Sequence, residues 1–127
     1  MTIHLDTSVL VDALSGPRRS LGKLERTVAA GHVIALSSLA LYEWLRGPRT
    51  EDELSDQESL LPAAHSRAFG HDEAAVAAEI YHGLKRARSR DMDIAIAACA
   101  LVHGARLWTL NPDDFRDIPG LEIYVAG

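Results

Sequence analysis

The sequence predicts an α/β fold with a mainly parallel sheet covered on both faces by helices. Three observations carry this. Short β-type apolar runs alternate along the chain with segments whose apolar residues recur every three or four positions. That alternation is the pattern of strand, helix, strand crossovers. At 127 residues, 47% of them hydrophobic and 24% charged, the chain has the size and composition of one domain spanning 1–127, able to bury about two-thirds of its unfolded surface. No internal repeat or low-complexity linker interrupts it.

The elements follow in order. Ile3-His4-Leu5 is a strand ending at Asp6, and Val9, Leu10, Ala13 and Leu14 then recur at helical spacing until Gly16-Pro17. A second amphipathic helix is expected from Arg19 to Ala30, with Leu21, Leu24 and Val28 on one face and Gly31 closing it. His32 to Leu36 reads as a strand. Ser37 and Ser38 are natural caps for a helix from Leu39 to Arg46, broken by Gly47-Pro48. The acidic stretch Thr50 to Leu61 reads as a surface helix ended by Pro62, and Ala64 to Phe69 as a weak third strand. A long helix is expected from His71 to Arg88, since Ala74, Ala77, Ile80, Tyr81 and Leu84 form a stripe. Asp91 to His103 is apolar nearly all round beyond Asp93, which marks a buried helix. Arg106 to Thr109 and Glu122 to Val125 are the last strands, joined by a link containing Pro112 and Pro119.

Composition excludes several classes. No apolar run approaches the roughly 18 residues of a membrane span. The amino terminus reaches Asp6 before an apolar signal core forms and has no basic leader, so a cytoplasmic location is expected. The single cysteine, Cys99, lies in an apolar stretch and supports neither a disulfide framework nor a cysteine pair for zinc. A net charge of −5 and a pI near 5.6 argue against a chain that holds nucleic acid simply by being basic. Thirteen Lys and Arg remain to meet phosphates. They are densest at Lys85-Arg86-Ala87-Arg88-Ser89-Arg90, which suits either a solvated helix end or a phosphate-binding rim.

In parallel sheets, ligands bind beyond the carboxyl ends of the strands, and four acids fall there. Asp6 ends the first strand and suits a helix cap. Glu43 sits mid-helix among Leu39, Ala40, Leu41, Tyr42, Trp44 and Leu45, where a carboxylate is costly unless paired with Arg46 or bound to a cation. Asp93 lies in the first turn of the buried helix, where the dipole favours an ionised acid, with Asp91 as the more natural cap. Asp114 follows Thr109 in Asn111-Pro112-Asp113-Asp114, a sequence that also suits an ordinary turn. Clustered carboxylates raise one another's pKa unless a cation intervenes. A hard, oxygen-preferring ion, Mg²⁺ or Mn²⁺, fits best. Zinc is disfavoured, because none of the six histidines forms an obvious ligand pair; they are read as surface or structural.

Four segments carry a resemblance. His4-Leu5-Asp6-Thr7-Ser8-Val9-Leu10-Val11, Tyr42-Glu43-Trp44-Leu45-Arg46-Gly47, Asp93-Ile94-Ala95-Ile96-Ala97-Ala98 and Thr109-Leu110-Asn111-Pro112-Asp113-Asp114-Phe115 resemble, in order, the signature segments of PIN-domain ribonucleases, and most closely the VapC toxins of VapBC toxin–antitoxin systems. The resemblance implies a three-layer α/β/α sandwich and a Mg²⁺- or Mn²⁺-dependent endoribonuclease whose acids are Asp6, Glu43, Asp93 and Asp114. It further implies a homodimer, a cognate VapB-type antitoxin lying over the cleft, and products with a 5′-phosphate and a 3′-hydroxyl. Thr7, Ser8, Thr109 and Asn111 match accessory polar positions. Asp91 and Asp113 are extra acids that leave the exact ligand set open.

On this reading Asp6 and Asp93 hold the ion, and Glu43 and Asp114 complete the site directly or through water. Arg46, Arg86, Arg88 and Arg90 are candidate RNA contacts. Arg46 is equally able to pair with Glu43, while Tyr42, Trp44 and Phe69 suit either base stacking or burial. Three rival readings stand beside it: a PIN nuclease acting on single-stranded DNA, a catalytically silent binding partner, and a phosphoacceptor signalling domain. The last requires a late lysine after a strand, and the only lysines are Lys23 and Lys85.

Overall fold

The computed structural model describes all residues, Met1–Gly127. Strand β1 (Thr2–Leu5) lies at the centre of a three-stranded sheet, flanked by β2 (Val33–Ala35) and β3 (Arg106–Trp108) in the order β2-β1-β3. Both pairings are parallel, with His4 opposite Ala35 on one side and Leu107 on the other. The chain therefore leaves β1 toward one edge, returns to the opposite edge, and reverses its winding between β1 and β3.

Six α-helices cover this sheet: α1 (Thr7–Leu14), α2 (Leu21–Ala29), α3 (Ser38–Arg46), α4 (Glu51–Leu60), α5 (His71–Gly83) and α6 (Asp91–Val102). Local chemistry fixes their ends. The Asp6 carboxylate accepts from the Thr7 amide at 2.9 Å to start α1, and Ser37 Oγ accepts from the Ala40 amide at 3.1 Å to start α3. Thr50 and Glu53 form a reciprocal capping box on α4, whose first turn also carries Glu51 and Asp52 against the helix dipole. Gly16 ends the turn after α1 at φ 59°, a conformation that disfavours residues with a Cβ.

Alternation along the strands divides the core into two layers. Ile3, Leu5 and Trp108 face one side and pack with Val9, Leu10, Leu24, Leu41 and Trp44 from α1 to α3. Leu107 faces the other and packs with Ile80 of α5, with Ile94, Ile96, Ala97 and Ala98 of α6, and with Phe115 and Ile118. These two cores make the three-layer α/β/α sandwich. Small residues let α6 approach the sheet closely, and Ala97, Ala98, Cys99 and Ala100 are wholly inaccessible. Burial pushes the Cys99 thiol up to about 11, so it behaves as a small apolar group. His4 shares this layer as a structural histidine. Burial above all, then Arg67 and His103, lower its pKa to about 4, and the neutral ring meets Arg67 at 3.3 Å.

Four sequence expectations are corrected. The helix expected to reach Arg88 stops at Gly83, because glycine is a weak helix former and the chain must turn there for Ala87 to enter the second core. The strand expected at residues 64–69 is a 3-10 turn, Ala63–His65, followed by a single parallel bridge from Arg67 to Ser37. The strand expected at residues 122–125 is also one bridge, Ile123 to Leu107. In α2 the buried face is Leu24 and Thr27, leaving Val28 exposed, since this helix packs chiefly against α1. No helix is long and apolar enough to cross a membrane.

Candidate active site

The carboxyl ends of β1 and β3 meet where the winding reverses, the place at which open α/β sheets bind ligands. Asp6 leaves the end of β1, and its amide donates to the Trp108 carbonyl at 2.8 Å, joining the two strand ends. Although only 7% exposed, the Asp6 carboxylate is fully engaged. One oxygen accepts from the Thr7 amide; the other accepts from the hydroxyls of Ser8 and Thr109, each at 2.8 Å. Those hydroxyls are themselves anchored. Ser8 Oγ accepts from the Leu110 amide at 3.1 Å, and Thr109 Oγ1 from the Asn111 amide at 3.0 Å. Asn111 thus contributes through its backbone.

Thr7 brings in the second acid. Its hydroxyl donates to Glu43 Oε1 at 2.8 Å, so one residue contacts both Asp6 and Glu43. The other Glu43 oxygen faces Arg46 of the same helix at 3.4 Å, and the Arg46 guanidinium also lies over the Tyr42 ring. Of the two environments that the sequence leaves open for Glu43, the pair with Arg46 is present, and its other oxygen is held by the Thr7 hydroxyl beside Asp6.

Asp93 lies in the first turn of α6 and is partly buried. Its carboxyl is pushed up from the ordinary 3.8 to about 6, first by burial and then by the charges of Asp6, Asp114 and Glu43, with Arg90 opposing. The four acids expected from sequence therefore share one electrostatic neighbourhood. Asp91 and Asp113 are absent from that set. Asp91 is the exposed first residue of α6 and does not cap it, because Arg90 occupies the cap position without a side-chain bond. Asp113 pairs instead with Arg116 at 2.7 Å.

Asp114 ends the 3-10 turn Pro112–Asp114, and that turn is clamped by Arg90. The Arg90 guanidinium donates to both Asp117 carboxylate oxygens, at 2.8 and 2.7 Å, and to the carbonyls of Arg86 and Asp114. Arg90 is thus bound within the chain, whereas Arg86 and Arg88 make no ion pair. Asp117 escapes sequence reasoning, since nothing at a separation of 27 residues signals a bidentate partner. Of the aromatics, Trp44 is core, Phe69 is half-buried, and Tyr42 is exposed.

As the side chains stand, no three acidic, histidine or cysteine groups converge closely enough to ligate one ion. Hydroxyl and amide donors hold Asp6 and Glu43 in place instead. The donor set is nonetheless entirely carboxylate oxygen, with hydroxyls behind it. That chemistry fits a hard divalent ion such as Mg²⁺ or Mn²⁺ and is poor for zinc.

An acid-rimmed α/β/α sandwich of this kind is the architecture implied by the four sequence segments. A family model described as PIN domain matches residues 3–121. Ribonuclease VapC19 of Mycobacterium tuberculosis is 32% identical over 123 residues, covering 93% of this chain and 95% of that protein. The chain belongs to the PIN-domain family, in its VapC branch. Among solved structures, VapBC2 from Rickettsia felis bound to a DNA fragment from their promoter aligns with a TM-score of 0.79 at 25% identity, covering 98% of each chain. DNA-bound VapBC from Salmonella typhimurium aligns at 0.78 and 21%, covering 98% of this chain and 97% of that one, a likeness of fold.

Proposed function

We propose that this chain is a divalent-metal-dependent endoribonuclease, the toxin of a VapBC-type pair, held inactive by a cognate VapB-type antitoxin. The observation that carries the reading is the join at the strand ends, where Thr7 contacts both Asp6 and Glu43 and Thr109 ties Asp6 to the start of the turn that carries Asp114, with the Asp93 carboxyl pushed up by burial and by those three acids. A fold that gathers four carboxylates at one strand switch point tolerates their repulsion most readily when a cation neutralises them. The ribonuclease relative supplies the substrate class, and the VapBC complexes among the structural neighbours supply the partner class.

Asp6 and Asp93 are the residues to hold the ion, with Glu43 and Asp114 reaching it directly or through water. When bound, Mg²⁺ or Mn²⁺ lowers the pKa of a coordinated water and offsets charge developing on phosphate oxygens. The chain's own groups do the positioning. Ser8 and Thr109 fix one oxygen of Asp6, Thr7 sets its other oxygen relative to Glu43, and Arg90 fixes the turn carrying Asp114. Arg86 and Arg88, exposed and without an ion pair just before α6, are the further cations that this reading assigns to backbone phosphates. A homodimer and a cytoplasmic location complete the reading.

The test is cleavage of purified total RNA by antitoxin-free protein with Mg²⁺, with Mn²⁺ and with chelator, beside Asp93→Asn. Discrete metal-dependent fragments that disappear in the folded variant are expected. Wild-type cleavage rates in Asp93→Asn would refute the assignment.

A further inference from the structure

Two hollows, both lined by Leu110, adjoin the hydroxyl residues that hold Asp6 and Glu43, although none of the four acids lines either one. One, of about 390 Å³, runs from Thr109 past Tyr124 to Lys23 and Arg116. The other, of about 570 Å³, runs from Thr7 and Ser8 along α1 to Arg19. Both fall within the range of clefts that take small ligands or parts of larger ones. Leu110 is 46% exposed, yet its backbone is tied to the site through the Leu110 amide and Ser8 Oγ, so an apolar side chain is held in solvent between the two hollows.

The charges are informative. Arg19 and Lys23 are exposed and make no ion pair within the chain, unlike their neighbour Arg18, which meets Asp56 at 3.1 Å. Arg116 is already matched by Asp113, and Asp12, in the second hollow, accepts from the Ser20 hydroxyl at 2.6 Å. In a chain of net charge −5, each hollow thus begins at hydroxyls that hold an acid and reaches an unpaired cation.

We propose that these hollows are the track of single-stranded RNA on either side of the scissile phosphate. Arg19 and Lys23 contact backbone phosphates, and Leu110 separates the two flanking nucleotides. A strand crossing Leu110 passes beside Ser8 and Thr109, the two hydroxyl residues that line the hollows and bind the Asp6 carboxylate. Stacking and cations spaced along a groove are the usual means of holding single strands. This inference rests on the nuclease reading above and adds the path of the substrate, using cations other than those of the Lys85 to Arg90 segment.

The test measures binding of a labelled single-stranded RNA in chelator, where cleavage is blocked, across a salt series. Arg19→Gln with Lys23→Gln is expected to weaken binding roughly tenfold or more near 0.1 M salt and to lower the salt slope by about 1.4, two contacts at about 0.7 each. Arg18→Gln is expected to change little. Unchanged affinity in the double variant, or an equal loss in Arg18→Gln, would overturn the proposal. So would loss of antitoxin capture with RNA affinity intact, which would assign the strip to the protein partner. Failure of the nuclease reading looks different: wild-type protein would bind RNA through Arg19 and Lys23 without metal-dependent cleavage.

Discussion

Thr109 Oγ1 donates to Asp6 Oδ2 at 2.8 Å across 103 residues of chain, fastening the end of β3 to the end of β1. The same oxygen receives the Asn111 amide, so one threonine orders both the first acid and the start of the turn that carries Asp114. Thr109→Val keeps the shape but leaves a buried carboxylate oxygen short of a donor. It should cost about 1–3 kcal/mol in urea denaturation, with Thr109→Ser retaining most of the stability. Equal stability of the valine and serine variants would remove the hydroxyl from the account.

The Asp93 carboxyl predicts a pH dependence of unusual sign for an acid. With its pKa raised from 3.8 to about 6, folded protein keeps a proton there that unfolded protein releases. This group therefore favours folding at low pH, and its contribution is lost as pH rises through about 6. Metal-free wild type should lose stability relative to Asp93→Asn on going from about pH 4 to about pH 7. Parallel stability curves for the two proteins would contradict the shift.

Arg90 and Asp117 form a clamp whose two halves separate experimentally. Asp117→Asn loosens the turn while keeping the Arg90 charge near Asp93; Arg90→Gln removes both. Each should cost about 1 kcal/mol or less in stability, because the pair is partly solvated. Only Arg90→Gln should push the Asp93 carboxyl higher, since Arg90 is the cation that holds it down. Titration of Asp93 by carbon-detected NMR reads this directly.

Gly83 ends α5 with an ordinary backbone conformation, and a Cβ added there meets nothing within 4 Å. Gly83→Ala should therefore raise stability by up to about 1 kcal/mol, by narrowing the unfolded ensemble. A fall in melting temperature would mean that the end of α5 must remain free to bend.

Much of this was legible in the sequence because local rules decided it. Asp6, Ser37 and Thr50 cap the helices that they precede, and the all-round apolar character of Asp91 to Val102 marked the buried α6. The four acids were legible because each follows a strand or opens a helix, or, for Glu43, because its helix is otherwise apolar. What local pattern could not give was long-range. The segments near Arg67 and Ile123 have β-type composition but find one partner residue each, so they remain bridges. The bidentate Arg90–Asp117 pair and the Thr109 hydroxyl on Asp6 depend on residues that only the fold brings together. Asp91, an apparent cap, lies one position inside its helix, a boundary that composition does not resolve.

The proposed nuclease requires acids from four separate elements to act as one cation site. Titrating metal-free protein with Mn²⁺ at pH 7.5 and following free Mn²⁺ by electron paramagnetic resonance tests it most directly, with wild type beside folded Asp6→Asn and Asp93→Asn. Saturable binding by the wild type and at least a tenfold loss in each variant are expected. Wild-type protein that leaves Mn²⁺ free in solution, or variants that bind it equally well, would contradict that shared site.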